Sequence, residues 1–310
     1  MGGGLSLKNT ERKKMILFKQ MTVIGVGLIG GSLALAAKRA GIVENVVGYS
    51  KRRGDLYKAI SMGVLDRYFL TLPKAVETAD LVVFSTPVGM FESLAKAIVP
   101  YLKKGAVVTD VGSVKGDMVF KIEARFPDHV TFVGGHPMVG REKSGVSSAL
   151  PKFFDQSITI LTPTPKTDTK VLRRVANLWK GVGASVVEMD PHQHDRVMAF
   201  VSHLPHFLAF ALMDMFNDSR VPAHALTRSA GGLRDATRIA ESSPEMWHDI
   251  FRLNKVALFE AIDCYQETLE NLKKAITTAR PREEGAHAPR EGDALLKILM
   301  RAKALREKLS

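Results

Sequence analysis

The sequence predicts an α/β protein in which a doubly wound parallel sheet is followed by an all-helical region. Short apolar runs alternate with helical patterns from residue 15 to residue 125, and further strand patterns follow up to residue 190. Such alternation is typical of strand–helix–strand units with right-handed crossovers. Between residues 192 and 279 no strand pattern occurs, and long helical stretches dominate. This change of pattern predicts a second, helical domain.

The predicted strands are short apolar segments. They cover residues 21–27, 45–50, 79–87, 106–113, 129–137, 157–163 and 184–190. The segment ADLVVFSTP (79–87) is apolar almost throughout, as expected of a strand that is covered on both faces. The helices between the strands are predicted at residues 28–41, 55–63 and 91–102, from about residue 115, and at 171–183. Gly41 and Gly63 stand where the first two helices end.

The helical region is predicted to contain helices at residues 192–216, 222–230 and 244–279. A polar linker (281–293) then leads to a closing helix (294–309). The expected organisation is a tail at 1–19, a sheet domain at 20–191, a helical domain at 192–280, and the linker with its helix at 281–310. The longest apolar run, 198–216, contains two histidines, a proline and an aspartate, so we expect a buried bundle helix rather than a membrane span.

Composition excludes several classes of protein. The chain has 310 residues, 45% of them apolar and 25% charged, which is typical of a globular protein with two domains. The single cysteine, Cys264, and the absence of a signal-peptide pattern predict a reducing, cytoplasmic location. The net charge is +12, but residues 1–20 and 280–310 together carry +7 of it. We therefore expect an anionic substrate and no nucleic-acid partner.

The glycine-rich segment GVGLIG (25–30) matches G-x-G-x-x-G between a predicted strand and a predicted helix. In that context the motif predicts a dinucleotide-binding turn of the Rossmann type. Gly25 permits the tight turn, Gly27 lets the backbone approach a pyrophosphate, and Gly30 lets the helix pack closely on the strand. The N–H groups at the helix start, including those of Leu28 and Ile29, are suited to phosphate. The alternative is a glycine-rich turn without a ligand.

The end of the second predicted strand bears on the choice of cofactor. An acidic residue there would bind the ribose of NAD, whereas this chain has Ser50 followed by Lys51, Arg52 and Arg53. Guanidinium groups bind phosphate well, so we expect NADP to be preferred, with NAD as the alternative. An exposed basic loop that tolerates either cofactor is the other interpretation.

Four further segments carry side chains suited to chemistry. Ser113 and Lys115 lie where a parallel strand ends, the edge at which open α/β sheets bind ligands. The segment GGHPMVGREKSG (134–145) holds His136 among small residues, and FVSHLPHFLAF (200–210) holds His203 and His206. The segment 231–251 contains the remaining candidates, Arg234, Asp235, Arg238 and Trp247.

Taken together, the motifs resemble the prephenate/arogenate (cyclohexadienyl) dehydrogenase family. The resemblance runs over roughly residues 20–275 and is carried by GVGLIGGSLA, STPV (85–88), TDVGSVKG (109–116), GGHPMVGREKSG, LTPT (161–164), HD (194–195), VSHLPH and RDATRIAxSxPxxW. It implies oxidative decarboxylation of prephenate to 4-hydroxyphenylpyruvate and CO2, with hydride transfer to NADP or NAD, in tyrosine biosynthesis. It also implies a homodimer formed through the helical domain, and no metal.

The resemblance also assigns roles. His136 corresponds to the base that accepts the substrate hydroxyl proton, and Ser113 to the serine that hydrogen-bonds it, so we expect the two within hydrogen-bonding reach, directly or through one water. Arg238 corresponds to an arginine that binds a substrate carboxylate. The other implied substrate contacts are His206, Glu142, Ser242 and Trp247. Implied cofactor contacts, beyond the glycine turn and the basic loop, are Ser85, Thr86 and Pro87. Arg141 has no assigned role.

Several alternatives stay open. The enzyme alternatives are an arogenate or dual-specificity dehydrogenase, and a β-hydroxyacid dehydrogenase, which generally needs a catalytic lysine in the helical domain. The SHLPH segment and the absence of an obvious carboxylate for the arogenate ammonium favour prephenate or dual use over arogenate alone. A non-catalytic NADP-binding sensor is a third. His203 is expected to be a packed histidine, Lys115 a phosphate contact or a solvated side chain, and Asp235 a salt-bridge partner that competes for Arg238. His192 and His194 have no third ligand at a metal-binding spacing. Tyrosine is a candidate competitive inhibitor.

Overall fold

The computed structural model describes residues 16–140, 144–222, 224–279 and 293–309. Its strands are β1 (Phe18–Ile24), β2 (Val43–Tyr49), β3 (Arg67–Tyr68), β4 (Leu81–Phe84), β5 (Val107–Asp110), β6 (Thr131–Pro137), β7 (Ile158–Thr162) and β8 (Ser185–Glu188). They form one sheet in the order β3-β2-β1-β4-β5-β6-β7-β8. The chain winds in opposite directions from β1, which pairs with both β2 and β4, so the predicted doubly wound fold class is confirmed.

The helices follow the sheet in two groups. Those between strands are α1 (Leu28–Ala40), α2 (Arg53–Ser61), α3 (Leu72–Val76), α4 (Phe91–Ile98), α5 (Gly116–Glu123) and α6 (Thr169–Gly181). Those that follow β8 are α7 (Pro191–Met198), α8 (Leu204–Asp214), α9 (Gly231–Thr237), α10 (Pro244–Leu253), α11 (Lys255–Thr278) and α12 (Ala294–Glu307). A π-helical turn, Ala199–His203, joins α7 to α8.

The last two strands run against the rest of the sheet. Strands β1 to β6 are parallel, but β7 pairs with β6 antiparallel, with His136 opposite Ile160. A parallel partner needs a crossover, usually a helix, that returns the chain to the starting edge. In the described part of the β6–β7 connection the only helical element is the short 3-10 turn Val146–Ser148, so the chain turns back instead. Helix α6 supplies a crossover for β8, which is parallel to β7.

Each face of the sheet buries its own apolar cluster. Met21 and Val23 of β1 belong to one cluster, together with Trp179 of α6, whereas Ile24 belongs to the other. The alternation follows from the two-residue period of a strand. All four residues of β4 are buried, as the apolar run at 79–87 predicted. The sheet is therefore covered by helices on both faces, and its strand ends are the edge left for a ligand.

Three differences from the predicted elements have local causes. Strand β3 and helix α3 have two and five residues, too few to show a periodic pattern. The predicted helix at 222–230 is wrong, because residues 224–228 form turns. That segment is short and precedes Gly231 and Gly232, so it cannot offset the cost of helix nucleation. The predicted closing helix is confirmed as α12, whereas the tail up to residue 15 and residues 280–292 of the linker lie outside the described ranges.

Residue contacts divide the chain into two compact units. The first extends to Asn254, and the second starts at Lys255 and contains α11 and α12. Within the described ranges, one helical segment, Pro191–Asn217, is long and apolar enough to cross a membrane by length and composition. Core helices of soluble proteins can have the same length and composition. Only 28% of its most apolar stretch is buried within the chain, so the expected buried helix is found only in part.

Candidate active site

The glycine turn lies where the carboxyl ends of β1 and β4 meet. Gly25 has φ +96°, and a Cβ there would lie 2.5 Å from the Ser85 carbonyl oxygen, so only glycine fits. A Cβ on Gly30 would lie 2.6 Å from the Gly25 carbonyl oxygen, so glycine also lets α1 pack against the turn. A Cβ on Gly27 would meet nothing within 4 Å. The start of α1 thus borders open space at Gly27, the arrangement that a phosphate requires.

The other predicted cofactor contacts surround this turn. Ser85 donates its N–H to the Ile24 carbonyl at 2.8 Å, and Thr86 and Pro87 follow it after β4. Gly25 donates its N–H to the Tyr49 carbonyl at 2.9 Å, which brings the end of β2 to the same place. The basic residues after β2, Lys51, Arg52 and Arg53, are exposed, and the Ser50 hydroxyl accepts the Arg52 N–H at 3.1 Å. Three solvent-exposed basic side chains therefore follow the strand end that contacts the glycine turn.

His136 lies in β6 and is 8% exposed. Its Nδ1 is 2.8 Å from Nε2 of His194, and Nδ1 of His194 is 2.8 Å from a carboxylate oxygen of Asp195. Helix α7 places His194, and Asp190 caps that helix by accepting the N–H groups of residues 192 and 193. A Cβ on Gly135 would lie 2.7 Å from the Asp110 carbonyl oxygen, so this glycine lets β6 approach β5. The histidine is thus mounted on the sheet and contacted from a helix.

A buried ion pair supports the loop that carries Ser113. The Lys115 ammonium lies 2.6 Å from the Asp110 carboxylate, and both side chains are fully buried. The same ammonium donates to the carbonyls of Gly112 and Val114, and Asp110 accepts the N–H groups of Gly112 and Gly135. Both expectations for Lys115, a phosphate contact or a solvated side chain, are therefore wrong. Burial is tolerated because every charge is hydrogen-bonded.

A second network links that loop to the helices. The Lys115 N–H donates to the Asp195 carboxylate at 2.7 Å, and the Asn254 amide donates to the Asp195 carbonyl at 2.8 Å. The same Asn254 nitrogen lies 3.0 Å from Nδ1 of His203, which ends the π-helical turn and is fully buried. Asp195 and Asn254 were absent from the predicted site. The sequence signal that could have identified Asp195 is the HD motif (194–195), which is part of the family resemblance.

Three histidines of this cluster are held neutral. Burial lowers the pKa of His136 well below 6.5, and His194, Lys115 and His203 act in the same direction. Burial also lowers the pKa of His194, against the opposing effect of the hydrogen bond to Asp195. The pKa of His203 falls to about 4, mainly through burial, although Asp195 and the Ser113 main chain oppose the shift. A neutral imidazole can accept a proton, which is the chemistry expected of a general base.

His206 and Trp247 form a stacked pair. Their ring centroids are 3.8 Å apart at an interplanar angle of 23°, and the His206 Nδ1–H donates to the Ser202 carbonyl at 2.9 Å. Burial lowers the pKa of His206. Trp247 is 5% exposed, and its indole Nε1 has no hydrogen-bond partner in the part of the chain that the structure describes. The His206 imidazole therefore lies against the face of a buried indole ring.

Known proteins share this architecture. The family model described as prephenate dehydrogenase, nucleotide-binding domain, matches residues 33–188, and the model described as prephenate dehydrogenase, dimerization domain, matches residues 190–287. Prephenate dehydrogenase of Bacillus subtilis is 36% identical over 285 residues, which span 86% of this chain and 76% of that protein. The chain belongs to the prephenate dehydrogenase family. It is an NAD(P)-dependent oxidoreductase.

Three further relatives in this family are similar to the chain, one by sequence and two by structure. Cyclohexadienyl dehydrogenase of Zymomonas mobilis is 34% identical over 268 residues, 85% of this chain and 90% of that protein. The crystal structure of prephenate dehydrogenase from A. aeolicus, in complex with hydroxyphenyl propionate and NAD+, has a TM-score of 0.86 at 37% identity, over 94% and 98% of the two chains. Synechocystis arogenate dehydrogenase has a TM-score of 0.77 at 26% identity, over 94% and 100%.

In this member of the prephenate dehydrogenase family, the other predicted residues are placed as follows. Ser113 is the half-buried residue of an otherwise buried loop, and no direct hydrogen bond joins it to His136 among the described residues. A water-bridged contact between the two stays a prediction. Ser242 donates its hydroxyl to the Ile239 carbonyl at 2.6 Å, and Arg238 is exposed at the start of a 3-10 turn.

The remaining sequence predictions concern two residues of the loop after β6 and the absence of a metal. Glu142 and Arg141 lie outside the described residues. Within the described ranges, no group of three or more His, Cys, Asp or Glu side chains is arranged to hold a metal ion.

Proposed function

We propose that this enzyme oxidises and decarboxylates prephenate to 4-hydroxyphenylpyruvate and CO2. The observation that carries the proposal is His136, a buried and neutral imidazole in β6 of the sheet whose strand β1 leads into the glycine turn. The open space at Gly27 fits the pyrophosphate of a nicotinamide cofactor. A nicotinamide cofactor bound there would supply the acceptor for the hydride of the hydroxyl-bearing substrate carbon.

The residues of the chain handle the proton and the carboxylates. His136 takes the hydroxyl proton as the carbonyl forms, and Ser113 orients that hydroxyl. The bond to the ring carboxylate breaks, CO2 leaves, and its electron pair makes the ring aromatic. His136 then returns the proton to the phenolate oxygen, so the enzyme ends neutral as it began. We assign Arg238 to the remaining carboxylate, and His206, Ser242, Trp247 and Glu142 to further contacts with the substrate.

The test of this function is the variant His136→Asn. Asparagine keeps a polar side chain of similar length but is no base, so turnover falls at least about 10²-fold, the usual contribution of a general base. The dissociation constant of the cofactor stays unchanged, because the glycine turn is untouched. A variant as active as the wild type would refute the mechanism, and would favour a non-catalytic cofactor-binding role.

Arogenate is the second candidate substrate, because cyclohexadienyl and arogenate dehydrogenases are among the relatives. It carries an ammonium where prephenate has a keto group. The proposal expects a higher kcat/KM for prephenate, measured with both substrates and both cofactors. Turnover of arogenate alone would reverse the order. Adding tyrosine to the same assay tests competitive inhibition, for which the expected sign is a raised apparent KM with unchanged kcat.

NADP is the proposed preferred cofactor, with NAD as the alternative. The support is the exposed cluster of Lys51, Arg52 and Arg53 after β2, and the neutral Ser50 where an acidic residue would bind the ribose of NAD. The expected result is a lower KM for NADP than for NAD, and an Arg52→Ala variant that loses the difference. A tenfold preference for NAD in the wild type would contradict the proposal.

We also propose a homodimer formed through the helical domain, in a cytoplasmic protein. The matched dimerization-domain model covers residues 190–287. Phe200 and Val201, on the apolar segment before α8, are 46% and 61% exposed in the single chain. Burying such side chains is favourable, so a partner copy is their natural cover. Light scattering should give twice the mass of one chain, and a monomer would refute this.

The boundaries at residues 20, 192 and 281 are likewise proposals, to be tested by limited proteolysis.

A further inference from the structure

His194 and Asp195 stand directly behind His136 and have no role in the reaction steps proposed above. His194 is fully buried and Asp195 is 6% exposed, so neither is positioned as a surface group. Asp195 is itself held at two points, by the Lys115 N–H at its carboxylate and by the Asn254 amide at its carbonyl. A buried charged group that is held both from the start of α5 and from the end of α10 has a defined orientation. Its effect on His136 passes through His194, whose ring is hydrogen-bonded both to the Asp195 carboxylate and to His136.

The direction of each hydrogen bond follows from what each atom can do. An ionised carboxylate only accepts, so Nδ1 of His194 carries the proton in its 2.8 Å contact with Asp195. A neutral His194 then has a lone pair on Nε2. That lone pair faces Nδ1 of His136 at 2.8 Å, so Nδ1 of His136 must be the donor. A neutral His136 with its proton on Nδ1 leaves the lone pair on Nε2.

We propose that Asp195 and His194 act as a positioning pair that holds His136 as the Nδ1–H tautomer, so that its Nε2 is the atom that accepts the substrate hydroxyl proton. The inference rests on the proposed role of His136 as base. It extends that role by assigning the reacting nitrogen and the residues that select it. The alternative tautomer, with the proton on Nε2, would present a donor to the hydroxyl and could not act as a base.

The same hydrogen bonds persist once the proton has moved, although burial, Lys115 and His203 disfavour the charged form of His136. Protonation of His136 at Nε2 creates an imidazolium whose Nδ1–H points at the His194 lone pair, with the Asp195 carboxylate behind it. The facing cation is Lys115, whose ammonium is paired with Asp110 at 2.6 Å, and the other facing titratable group is His203, which stays neutral. The protons on both Nδ1 atoms stay in place. The pair therefore orients the base, as the aspartate of a catalytic triad orients its histidine.

The first test reads the tautomer directly and does not depend on turnover. Long-range ¹H–¹⁵N correlation spectra of enzyme labelled with ¹⁵N-histidine identify the protonated nitrogen of each ring at neutral pH. The proposal expects His136 and His194 both to be protonated on Nδ1, with His136→Asn and His194→Gln used to assign the two spin systems. A proton on Nε2 of His136 in the wild type would overturn the proposal, whatever the activity of the variants.

The second test separates positioning from folding. His194→Leu removes the acceptor, and we expect kcat to fall between about 10² and 10⁴-fold, the range for misoriented histidines, with cofactor affinity unchanged. His194→Gln restores an acceptor, because an amide that donates to Asp195 presents its oxygen to His136, and it should recover at least tenfold of the loss. The matched control is His192→Leu, an exposed histidine on the same helix, which should keep wild-type kcat.

The outcomes of these tests are distinguishable. Full activity in folded His194→Leu would refute the positioning role. Equal loss in the leucine and glutamine variants would refute the tautomer argument, because the glutamine supplies an acceptor. Turnover retained in His136→Asn is a separate result, which would refute the proposed reaction and with it the role of Nε2 as the accepting atom. The tautomer spectrum would still decide whether Asp195 and His194 hold the proton of His136 on Nδ1. If His194→Leu does not fold, the wild-type spectrum and the glutamine variant still decide it.

Discussion

Alanine at Gly27 should separate cofactor binding from folding. A Cβ there meets no atom within 4 Å, and the residue has φ −101°, so the chain tolerates a methyl group without strain. Replacing glycine by alanine at a compatible position stabilises by about 0.4–1 kcal/mol through the unfolded state. The same methyl group would occupy the space that a pyrophosphate must approach. Overpacking of this kind costs about 1–3 kcal/mol, so we expect the dissociation constant of the cofactor to rise by about 5- to 150-fold.

Gly25→Ala is the matched control, because the same change meets a different environment. Its Cβ would lie 2.5 Å from the Ser85 carbonyl oxygen in a residue with φ +96°, so both overlap and backbone strain destabilise the fold. We expect a loss of about 2–4 kcal/mol from these two effects together. Thermal unfolding and titration of the cofactor by fluorescence give both quantities for each variant. Wild-type affinity in Gly27→Ala would refute the assignment of the pyrophosphate to this turn.

Three further predictions concern charge and stacking. Lys115→Met leaves the Asp110 carboxylate buried without its cation, so the free energy of unfolding in urea should fall by about 3–5 kcal/mol; a loss below about 1 kcal/mol would contradict the buried-pair argument. The folded-state pKa of His203 is about 4, below its usual 6.5, so its contribution to stability is complete above pH 6.5 and is lost as the pH falls towards 4. The melting temperature should therefore fall more steeply over that window in the wild type than in His203→Gln, and equal slopes would argue against it. His206→Ala removes a side chain that stacks on Trp247, so the KM for the substrate should rise roughly tenfold with cofactor affinity unchanged; an unchanged KM would place His206 outside the substrate pocket.

The sheet could be predicted because its signals are local. Each of the strands β1, β2 and β4 to β8 corresponds to a predicted apolar segment, and GVGLIG marks the turn at which the winding direction changes. The reversed direction of β7 was not predictable in this way. Strand patterns record which faces are buried, and they are the same for parallel and antiparallel neighbours. The helix predicted at 222–230 failed for a related reason, since its pattern lacked the length that helix formation needs.

In the candidate site, too, residues in local motifs could be predicted from the sequence, whereas contacts between distant residues could not. His136, Ser113 and the glycines are recognisable because their motifs are contiguous and their residue types are unusual in a core. Lys115 was misjudged because its partner Asp110 lies five residues away across a loop, and only the folded loop turns the two side chains toward each other inside the protein.

By itself, the sequence determined the family, the winding of the sheet and the identity of the proposed base, because each depends on residues close together in the chain. The tertiary structure alone decided what surrounds that base. His136 and His194 are 58 residues apart, and Asn254 reaches Asp195 from 59 residues away. Hydrogen-bond direction depends on which atoms meet, and burial sets whether those imidazoles are neutral. Both properties arise only when β6, α7 and the end of α10 pack together.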